Sequence, residues 1–349
     1  MKRSESMTYN PADMAVWTGR VDSEEAGVST RWHQEISPLP ADVFKPDGFG
    51  ADAFETDSIA ILGFACDEGV RRNKGRQGAK EGPAAIRRAL SNAAWHLPVK
   101  AWDAGDIRCD DTSMEVAQSE LADKITFLLD NGLKPVVLGG GHEIAWGSYQ
   151  GVAQHIYAED KSARIGIVNL DAHLDLRNPD IQPSSGTPFR QIAQWCHANN
   201  KAFHYYCIGV NETANTQALF EFAREQGVKW RLDRDCKATD LEAIRQDMKD
   251  YLAELDYLYL TICLDAFSVA VAPGVSAPSV LGLDAVTGCE IIRLILKEAA
   301  AAHVPVLLTD IAECNPLLDD DDRTARLAAR LVAEISQELT HGLPQELPG

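Results

Sequence analysis

Two aspartates and one histidine follow a strongly apolar segment near the middle of the chain, and their types suit metal chemistry. Asp171, His173 and Asp175 come directly after residues 165–170, whose β-branched bias is typical of a buried parallel strand. In an extended or slowly turning chain alternate side chains point the same way, so these three should converge. Carboxylate and imidazole ligands suit a divalent cation such as Mn²⁺ or Zn²⁺, and the dominance of carboxylates favours Mn²⁺. A solvated turn is the alternative interpretation.

Three other apolar segments also end in residues that can bind a cation or polarise a substrate. They are His142 after a glycine triplet, the pair Cys263 and Asp265, and the pair Asp310 and Glu313. A single acid at the end of a strand is usually a solvated cap, but four such ends favour one shared site. The glycine triplet lacks the GxGxxG spacing and no Lys-Ser/Thr follows it, so a nucleotide-binding module is the weakest interpretation.

The order of the predicted elements favours an α/β fold. About eight apolar strands alternate with helices, which predicts a three-layer α/β/α architecture with a mainly parallel eight-stranded sheet and helices on both faces. A closed eight-stranded barrel is the alternative, and ligands bind at the carboxyl ends of the strands in either fold. We expect residues 1–349 to form one domain, with residues 1–56 as an irregular N-terminal arm packed on it. Residues 66–83 read as a long, charged, glycine-rich loop.

The composition narrows the classes of partner. The net charge of −19 disfavours nucleic acid and anionic membrane surfaces as partners. The sequence contains no apolar run of transmembrane length and no signal-peptide pattern. Eight scattered cysteines without a CxxC pair then indicate reduced thiols and a cytoplasmic location. We therefore expect the partner to be a small-molecule substrate.

Three segments resemble the signature sequences of the ureohydrolase (arginase/agmatinase) superfamily. They are LGGGHEIAWG at 138–147, IVNLDAHLD at 167–175 and TICLDAFSVAVAPGVSAPSVLG at 261–282. The resemblance implies a three-layer α/β/α fold, two Mn²⁺ ions per subunit and assembly into a homo-oligomer. The implied ligands are His142 and Asp175 for one ion, His173 and Asp265 for the other, and Asp171 as a bridge between them.

Cys263 departs from the superfamily pattern, which has a second bridging aspartate at this position. A thiolate is a soft ligand that binds Mn²⁺ less well than oxygen does, and it favours Zn²⁺ or another thiophilic metal. Cys263 stays in the predicted ligand set because it occupies the position of a ligand. Oxidation would offer it Cys66 or Cys314 as a disulfide partner, whereas the alternative is that all three are buried small hydrophobic residues.

Five further segments resemble one branch of the superfamily, which removes the formimino group from N-formimino-L-glutamate. They are WTGRVD (17–22), RWHQ (31–34), residues 63–87, SSGTPF (184–189) and VAPGVSAP (271–278). The resemblance implies metal-dependent hydrolysis to L-glutamate and formamide, a step of histidine degradation. Ser185 stands where arginases have a catalytic histidine, which argues against arginase activity. The alternatives are a guanidino hydrolase, of the agmatinase or guanidinobutyrase type, and a catalytically weakened member with a regulatory role.

The implied chemistry assigns catalytic roles to two acids. Water activated by the cations would attack the formimino carbon. Glu313 would bind the amidine-like nitrogen of the substrate by a charge-assisted hydrogen bond. Asp175 would pass a proton to the leaving amine. No residue stands out from the sequence as a firm general acid.

The two carboxylates of such a substrate need cations, which the loop at residues 66–83 supplies. This loop contains Arg71, Arg72, Lys74 and Arg76. Arginine binds a carboxylate through two parallel hydrogen bonds, so it is the natural clamp. We predict that Arg72, Asn73 and Arg190 bind the substrate together with Glu313; a solvated charged loop is the alternative.

Overall fold

The structure is a computed structural model that describes residues 8–24, 28–40, 42–44, 54–110 and 113–341. A central sheet contains the strands β1 (Tyr9–Asn10), β2 (Ser37–Pro38), β3 (Ile59–Ala65), β4 (Ala101–Arg108), β5 (Lys134–Gly139), β6 (Ile165–Leu170), β7 (His204–Val210), β8 (Lys229–Leu232), β9 (Tyr257–Cys263) and β10 (Val306–Ala312). The α-helices are α1 (Trp32–Glu35), α2 (Glu68–Arg72), α3 (Gly82–Leu90), α4 (Met114–Asp130), α5 (Ile144–Glu159), α6 (Pro188–Ala198), α7 (Gln217–Glu225), α8 (Leu241–Leu252), α9 (Ala285–Ala301) and α10 (Arg323–Leu339). Among the described residues, no helix is long and apolar enough to cross a membrane.

The eight longer strands form a parallel sheet in the order β4-β3-β5-β10-β9-β6-β7-β8. This confirms the predicted mainly parallel sheet of eight strands. In the described part of the chain β8 pairs only with β7 and leaves the sheet open, so the closed-barrel alternative is wrong. Two short strands extend the opposite edge, where β1 pairs antiparallel and β2 pairs parallel with β4.

Both faces of the sheet are covered by helices, as the alternation of strands and helices predicts. Along β9, Leu258, Leu260 and Ile262 pack into one apolar core with helices α3, α8, α9 and α10. Tyr259 points to the opposite face and joins a second core, which is formed with helices α4, α5, α6 and α7. Burial on both faces explains why the strands read as continuous apolar runs instead of alternating with polar residues.

The predicted N-terminal arm contributes edge strands and core side chains. Tyr9 pairs with Ile107 of β4, and Trp17 and Trp32 are buried in the core next to α3. Residues 1–7, 25–27, 41 and 45–53 of this predicted arm lie outside the described residues.

The strands that precede the candidate site residues are neighbours in the middle of the sheet. The chain leaves β5 through α5 and enters β6 three places away, and β9 and β10 later fill the gap between them. The carboxyl ends of all four parallel strands therefore meet at one edge. The chain moves in one direction across the sheet from β5 to β6 and returns in the other direction through β9 and β10. In open α/β sheets, ligands bind at the point where the strand order reverses in this way.

The loop predicted at residues 66–83 is more ordered than its composition indicates. It contains the short helix α2 and a 3₁₀ turn at Ala79–Glu81. Asn315, far along the chain, donates hydrogen bonds from Nδ2 to the carbonyl oxygens of Arg76 and Gln77 at 3.0 and 3.1 Å. Glycine-rich sequence indicates a loop, but it does not reveal a tether from so distant a residue.

Candidate active site

The glycine turn after β5 places His142 at the carboxyl edge of the sheet. The backbone N–H of Gly140 donates to the carbonyl of Phe64 at 2.8 Å, and that of Gly141 donates to the carbonyl of Cys66 at 2.9 Å. A side chain at position 140 would lie 1.7 Å from the Cys66 oxygen, so only glycine permits this close approach. The turn is therefore fastened to β3, and His142 follows it in a fixed position.

Asp171, His173 and Asp175 converge, and the chain turns through them, which is one of the two conformations (extended or slowly turning) that the prediction allowed. The chain turns after β6, and the backbone N–H of His173 donates to Asp171 Oδ1 at 2.7 Å. Asn215 secures the turn by accepting the N–H of Leu174 at 3.0 Å. Asp175 has a left-handed backbone with φ of 47°, a conformation that is uncommon for residues other than glycine and that concentrates at functional sites.

Two histidines and three aspartates form a continuous cluster. His142 Nδ1 lies 2.8 Å from Asp171 Oδ2 and 3.1 Å from Asp175 Oδ2. His173 Nδ1 lies 3.0 Å from Asp265 Oδ2 and 3.5 Å from Asp171 Oδ1. Asp171 thus contacts both imidazoles, one through each carboxylate oxygen, which is the arrangement expected of a ligand shared by two cations.

The potential ligand atoms separate into two groups, each able to hold one cation. The groups are His142, Asp171 and Cys263, and Asp171, His173 and Asp265; within each group the atoms lie within 4.8 Å of one another. Cys263 ends β9 and Asp265 lies in the 3₁₀ turn that follows it. Asp171 belongs to both groups.

Buried atoms without hydrogen bonds indicate that the cluster fits divalent cations. Within the described chain, Asp265 Oδ1 is buried without a hydrogen-bond partner, and the buried His142 Nδ1 faces carboxylate oxygens of Asp171 and Asp175. Burying such atoms together is costly unless a ligand satisfies them. His142 Nε2 lies 3.0 Å from Thr261 Oγ1, a contact that favours a proton on Nε2 and a free lone pair on Nδ1. The donor set therefore fits two cations, with one thiol among the oxygen and nitrogen donors.

The electrostatics of the cluster favour positive charge. Burial lowers the pKa of His142, but the carboxylates of Asp171 and Asp175 raise it well above its ordinary value. Burial would raise the pKa of Asp171, but the imidazoles of His142 and His173 lower it. Burial and the charge of Asp171 raise the pKa of Asp175 to about 6. Strongly perturbed groups of this kind, gathered in a cleft, are typical of a functional site.

A buried polar network contacts His142 on the side of its Nε2 atom, opposite the candidate metal-binding Nδ1 atom. Ser148 Oγ and Tyr259 OH donate to Asp310 Oδ2 at 2.6 and 2.5 Å, and the pKa of Asp310 is raised by burial. Thr261 hydrogen-bonds Asp310 and also contacts His142. The sequence predicts Asp310 as part of the shared site, but the structure places it behind His142, where it orients the imidazole through Thr261.

Glu313 lies beside the cation cluster at the end of β10. Its Oε1 accepts the backbone N–H of His142 at 3.1 Å, and its Oε2 is buried without a hydrogen-bond partner among the described residues. Burial and the charges of Asp265 and Glu143 raise its pKa to about 8. The backbone is left-handed, with φ of 70°, so the chain turns sharply to aim this side chain.

A cavity of about 310 Å³ opens above the cluster, and cations line its outer part. Its walls include His142, His173, Asp175, Cys263, Asp265 and Glu313. Lys74, Arg76 and Arg177 line it as well, and none of the three forms an ion pair with a described acid. The Arg76 side chain is held by the carbonyl oxygens of Ser276 and Val275, to which it donates at 2.9 and 2.6 Å. The cavity therefore combines a cation-binding floor with unpaired positive charge.

Arg72 and Arg190, the arginines predicted to bind the substrate, do not line this cavity. Arg72 contacts Glu68 at 2.9 Å and Glu115 at 2.5 Å, with its side chain only 10% exposed. The Arg190 guanidinium stacks 4.1 Å from the ring centre of Phe222. Arg72 is thus committed to Glu68 of its own helix and to Glu115 of α4, and Arg190 to Phe222 of α7. The contacts between helices are the ones that the sequence alone does not reveal.

Asn73 does line the cavity, and its Nδ2 donates to Ser185 Oγ at 3.3 Å. Arg177 is the cavity cation that the sequence analysis missed. Its position two residues after Asp175, directly beyond the predicted ligands, is the signal that would have identified it.

Among the described residues, no cysteine forms a disulfide in the structure. A hydrogen bond joins the thiol of Cys66 to that of Cys109 and raises the pKa of Cys66. The disulfide considered between Cys263 and either Cys66 or Cys314 is not formed. Burial and the charges of Asp171 and Asp265 raise the pKa of Cys263 well above its ordinary value.

The fold and the cluster of acids and imidazoles define a member of a known enzyme family. Residues 57–337 match the model of the arginase family, and the chain belongs to that family. A curated relative named formimidoylglutamase, from Aeromonas hydrophila subsp. hydrophila, is 45% identical over 331 residues, which cover 94% of this chain and 98% of the relative.

Solved structures agree with this placement. Formimidoylglutamase from Bacillus subtilis subsp. subtilis str. 168 has a TM-score of 0.77 at 20% identity, covering 93% of this chain and 95% of its own, which supports the fold. Formiminoglutamase from Trypanosoma cruzi, solved with Mn²⁺, has a TM-score of 0.69 at 26% identity, covering 82% and 94% of the two chains.

Proposed function

We propose that this protein hydrolyses N-formimino-L-glutamate to L-glutamate and formamide, with two divalent cations held by the cluster around Asp171. One observation carries the proposal most directly. The cavity above the cluster is lined by Lys74, Arg76 and Arg177, which form no ion pair with a described acid. A substrate with two carboxylates would supply the anionic partners with which these three side chains can pair. The 45% identity to a formimidoylglutamase supports the same substrate.

The charge of the cavity also discriminates between formimino and guanidino substrates. Agmatine ends in an ammonium group, which would face Lys74, Arg76 and Arg177 with like charge and be repelled. A guanidino acid such as 4-guanidinobutyrate has one carboxylate and would engage the three cations only in part. N-Formimino-L-glutamate matches them best, because it carries two carboxylates, one on the carbon next to the formimino-bearing nitrogen and one at the far end of the side chain.

The metal ligands in this proposal are His142, Asp171, His173, Asp175, Cys263 and Asp265. Bound cations, with Mn²⁺ as the expected ion, would supply Lewis-acid activation of water at this position. Glu313 lies next to the cluster and has one buried oxygen without a partner. We assign it to accept an N–H of the formimino group, which turns the formimino carbon toward the cluster.

Asp175 is proposed to move the proton that the reaction requires. Addition of water to the formimino carbon and cleavage of its bond to the glutamate nitrogen release formamide and leave an amine that must gain a proton. Asp175 lines the cavity next to His142, so its carboxylate lies where it can accept that proton and return it to the leaving amine.

The identity of the products tests this proposal against its alternatives. Reduced, Mn²⁺-loaded protein is incubated with N-formimino-L-glutamate, agmatine and 4-guanidinobutyrate in parallel, and formamide and urea are quantified. The proposal expects formamide from the first substrate at a rate far above urea from the other two. Urea as the main product would establish a guanidino hydrolase instead, and no product from any substrate would favour a regulatory role.

Three sequence-based expectations remain parts of this proposal. They are the single domain over residues 1–349, assembly into a homo-oligomer and a cytoplasmic location. The first is tested by one cooperative unfolding transition, the second by the mass of the protein in solution, and the third by fractionation of the source cells.

A further inference from the structure

Cys263 lies inside the candidate metal centre, and its thiol faces other ligands. Its Sγ lies within 4.8 Å of a ligand nitrogen of His142 and a carboxylate oxygen of Asp171. The residue is 1% exposed overall, yet it lines the cavity together with His142 and Asp265. A thiol that only filled space in the core would be surrounded by apolar side chains, whereas this one is surrounded by an imidazole and carboxylates.

Cys207, a second buried cysteine near the centre, shows the contrast. Its Sγ donates to the carbonyl oxygen of His173 at 3.4 Å and to that of Asp171 at 3.8 Å. It thus contacts the backbone of the ligands but not their metal-binding atoms, and it does not line the cavity. Of these two cysteines, Cys263 alone belongs to a candidate metal-binding group.

The two candidate groups therefore differ in chemical softness. The group of Asp171, His173 and Asp265 offers only oxygen and nitrogen, whereas the group of His142, Asp171 and Cys263 adds sulfur. Thiolates favour Zn²⁺ and other thiophilic cations, whereas carboxylate oxygens suit Mn²⁺.

We infer that the two cation positions of this protein are chemically inequivalent, and that Cys263 makes one of them selective for a thiophilic divalent cation such as Zn²⁺ or Co²⁺. The position of His173 and Asp265, with only oxygen and nitrogen donors, favours Zn²⁺ over Mn²⁺ less strongly. The inference rests on the proposed function only for the location of the metal centre, because binding and spectroscopy measure it without turnover.

Co²⁺ serves as the probe because a thiolate bound to it produces a charge-transfer absorption in the near ultraviolet, which oxygen and nitrogen ligands do not. Chelator-treated, reduced full-length protein is titrated anaerobically with CoCl₂, and bound cobalt is measured by equilibrium dialysis. The expected result is a charge-transfer band that reaches its maximum at one bound Co²⁺ per chain. The band should be absent in Cys263→Ser and Cys263→Asp and retained in the matched control Cys207→Ser.

Competition between metals supplies the second readout. In the wild-type protein Zn²⁺ should displace Mn²⁺ from the position of Cys263 at a lower Zn²⁺ concentration than from the other position. Cys263→Asp should lower the preference for Zn²⁺ over Mn²⁺ at the first position by roughly tenfold or more. Cobalt bound without the band, a band that persists in Cys263→Ser, or an unchanged preference in Cys263→Asp would each overturn the inference. Absence of formamide release beside a normal cobalt band would instead count against the proposed function alone.

Discussion

Glu313 accepts the backbone N–H of His142 at 3.1 Å, so the candidate substrate-binding carboxylate is fastened to the residue that carries a candidate metal ligand. The two residues follow neighbouring parallel strands, β10 and β5. The register of these strands therefore fixes the position of Glu313 relative to His142 and to the cations that His142 would bind. In this arrangement the second carboxylate oxygen of Glu313 stays free for the substrate.

Glu313→Gln should reduce catalysis and leave the metal centre intact. The amide oxygen can still accept the N–H of His142, but an amide cannot ionise opposite the formimino group. The bound cations and a positively charged formimino group would oppose the raised pKa of Glu313 and favour its carboxylate form. The loss of one charge-assisted hydrogen bond is worth about 2 kcal/mol, so kcat/KM should fall roughly 30-fold. Steady-state kinetics of formamide release measures this, with metal content as the control. A wild-type kcat/KM at full metal content would remove Glu313 from substrate binding.

Arg177→Ala should weaken substrate binding, whereas Arg72→Ala should weaken the fold. Arg177 lines the cavity, and its removal deletes one charge-assisted contact with a carboxylate, so KM should rise roughly tenfold. Arg72 is held by Glu68 and Glu115 outside the cavity. Its removal should therefore lower Tm and leave KM near the wild-type value. A large increase of KM in Arg72→Ala with little change in Arg177→Ala would restore the assignment made from the sequence.

Asn315→Ala should disorder the loop at residues 66–83, which places Lys74 and Arg76 in the wall of the cavity. Asn315 Nδ2 donates to the carbonyl oxygens of Arg76 and Gln77, and loss of both hydrogen bonds should cost about 1–3 kcal/mol. KM for N-formimino-L-glutamate should rise, and cleavage by trypsin after Lys74 or Arg76 should become faster. Asn315→Asp keeps the shape but cannot donate, so it should behave like the alanine variant. If Asn315→Asp behaves like the wild type, the tether does not depend on donation.

The ion pairs of Glu68 should make stability depend on pH in the acid range. Hydrogen bonds from Arg71, together with those from Arg72, lower the pKa of Glu68 from 4.5 to about 2. Because the pKa is lower in the folded state, the stabilisation is present above pH 4.5 and is lost as the pH falls toward 2. The difference in Tm between wild type and Glu68→Gln should therefore shrink as the pH is lowered from about 5 to 3. A difference that stays constant over this range would show that the ion pairs contribute nothing.

The sequence predicts the sheet and the positions of the acids and histidines well, for a physical reason. His142, Asp171 and Asp265 each follow closely on a buried apolar strand, and parallel strands bring their carboxyl ends to one edge. Local sequence and sheet topology together therefore determine where these side chains meet. The turns were harder to predict, because the left-handed backbones of Asp175 and Glu313 depend on contacts made elsewhere in the fold.

The basic side chains that would bind the substrate could not be predicted in the same way. An arginine is available to a ligand only if no acid has already paired with it. Glu68 pairs with Arg72 from the same helix, but its second partner is Glu115, 43 residues away. Arg76 is positioned by Ser276, which is 200 residues away. Such pairings follow from the folded arrangement and leave no local pattern in the sequence.

Formamide release from N-formimino-L-glutamate tests the central proposal most directly. Reduced protein is prepared in a chelator-treated form and in a form reloaded with Mn²⁺, and formamide and glutamate are quantified in both. The proposal predicts equal amounts of the two products from the reloaded protein and none above background from the treated protein. Equal activity in both forms, or no formamide from protein that has bound its cations, would contradict it.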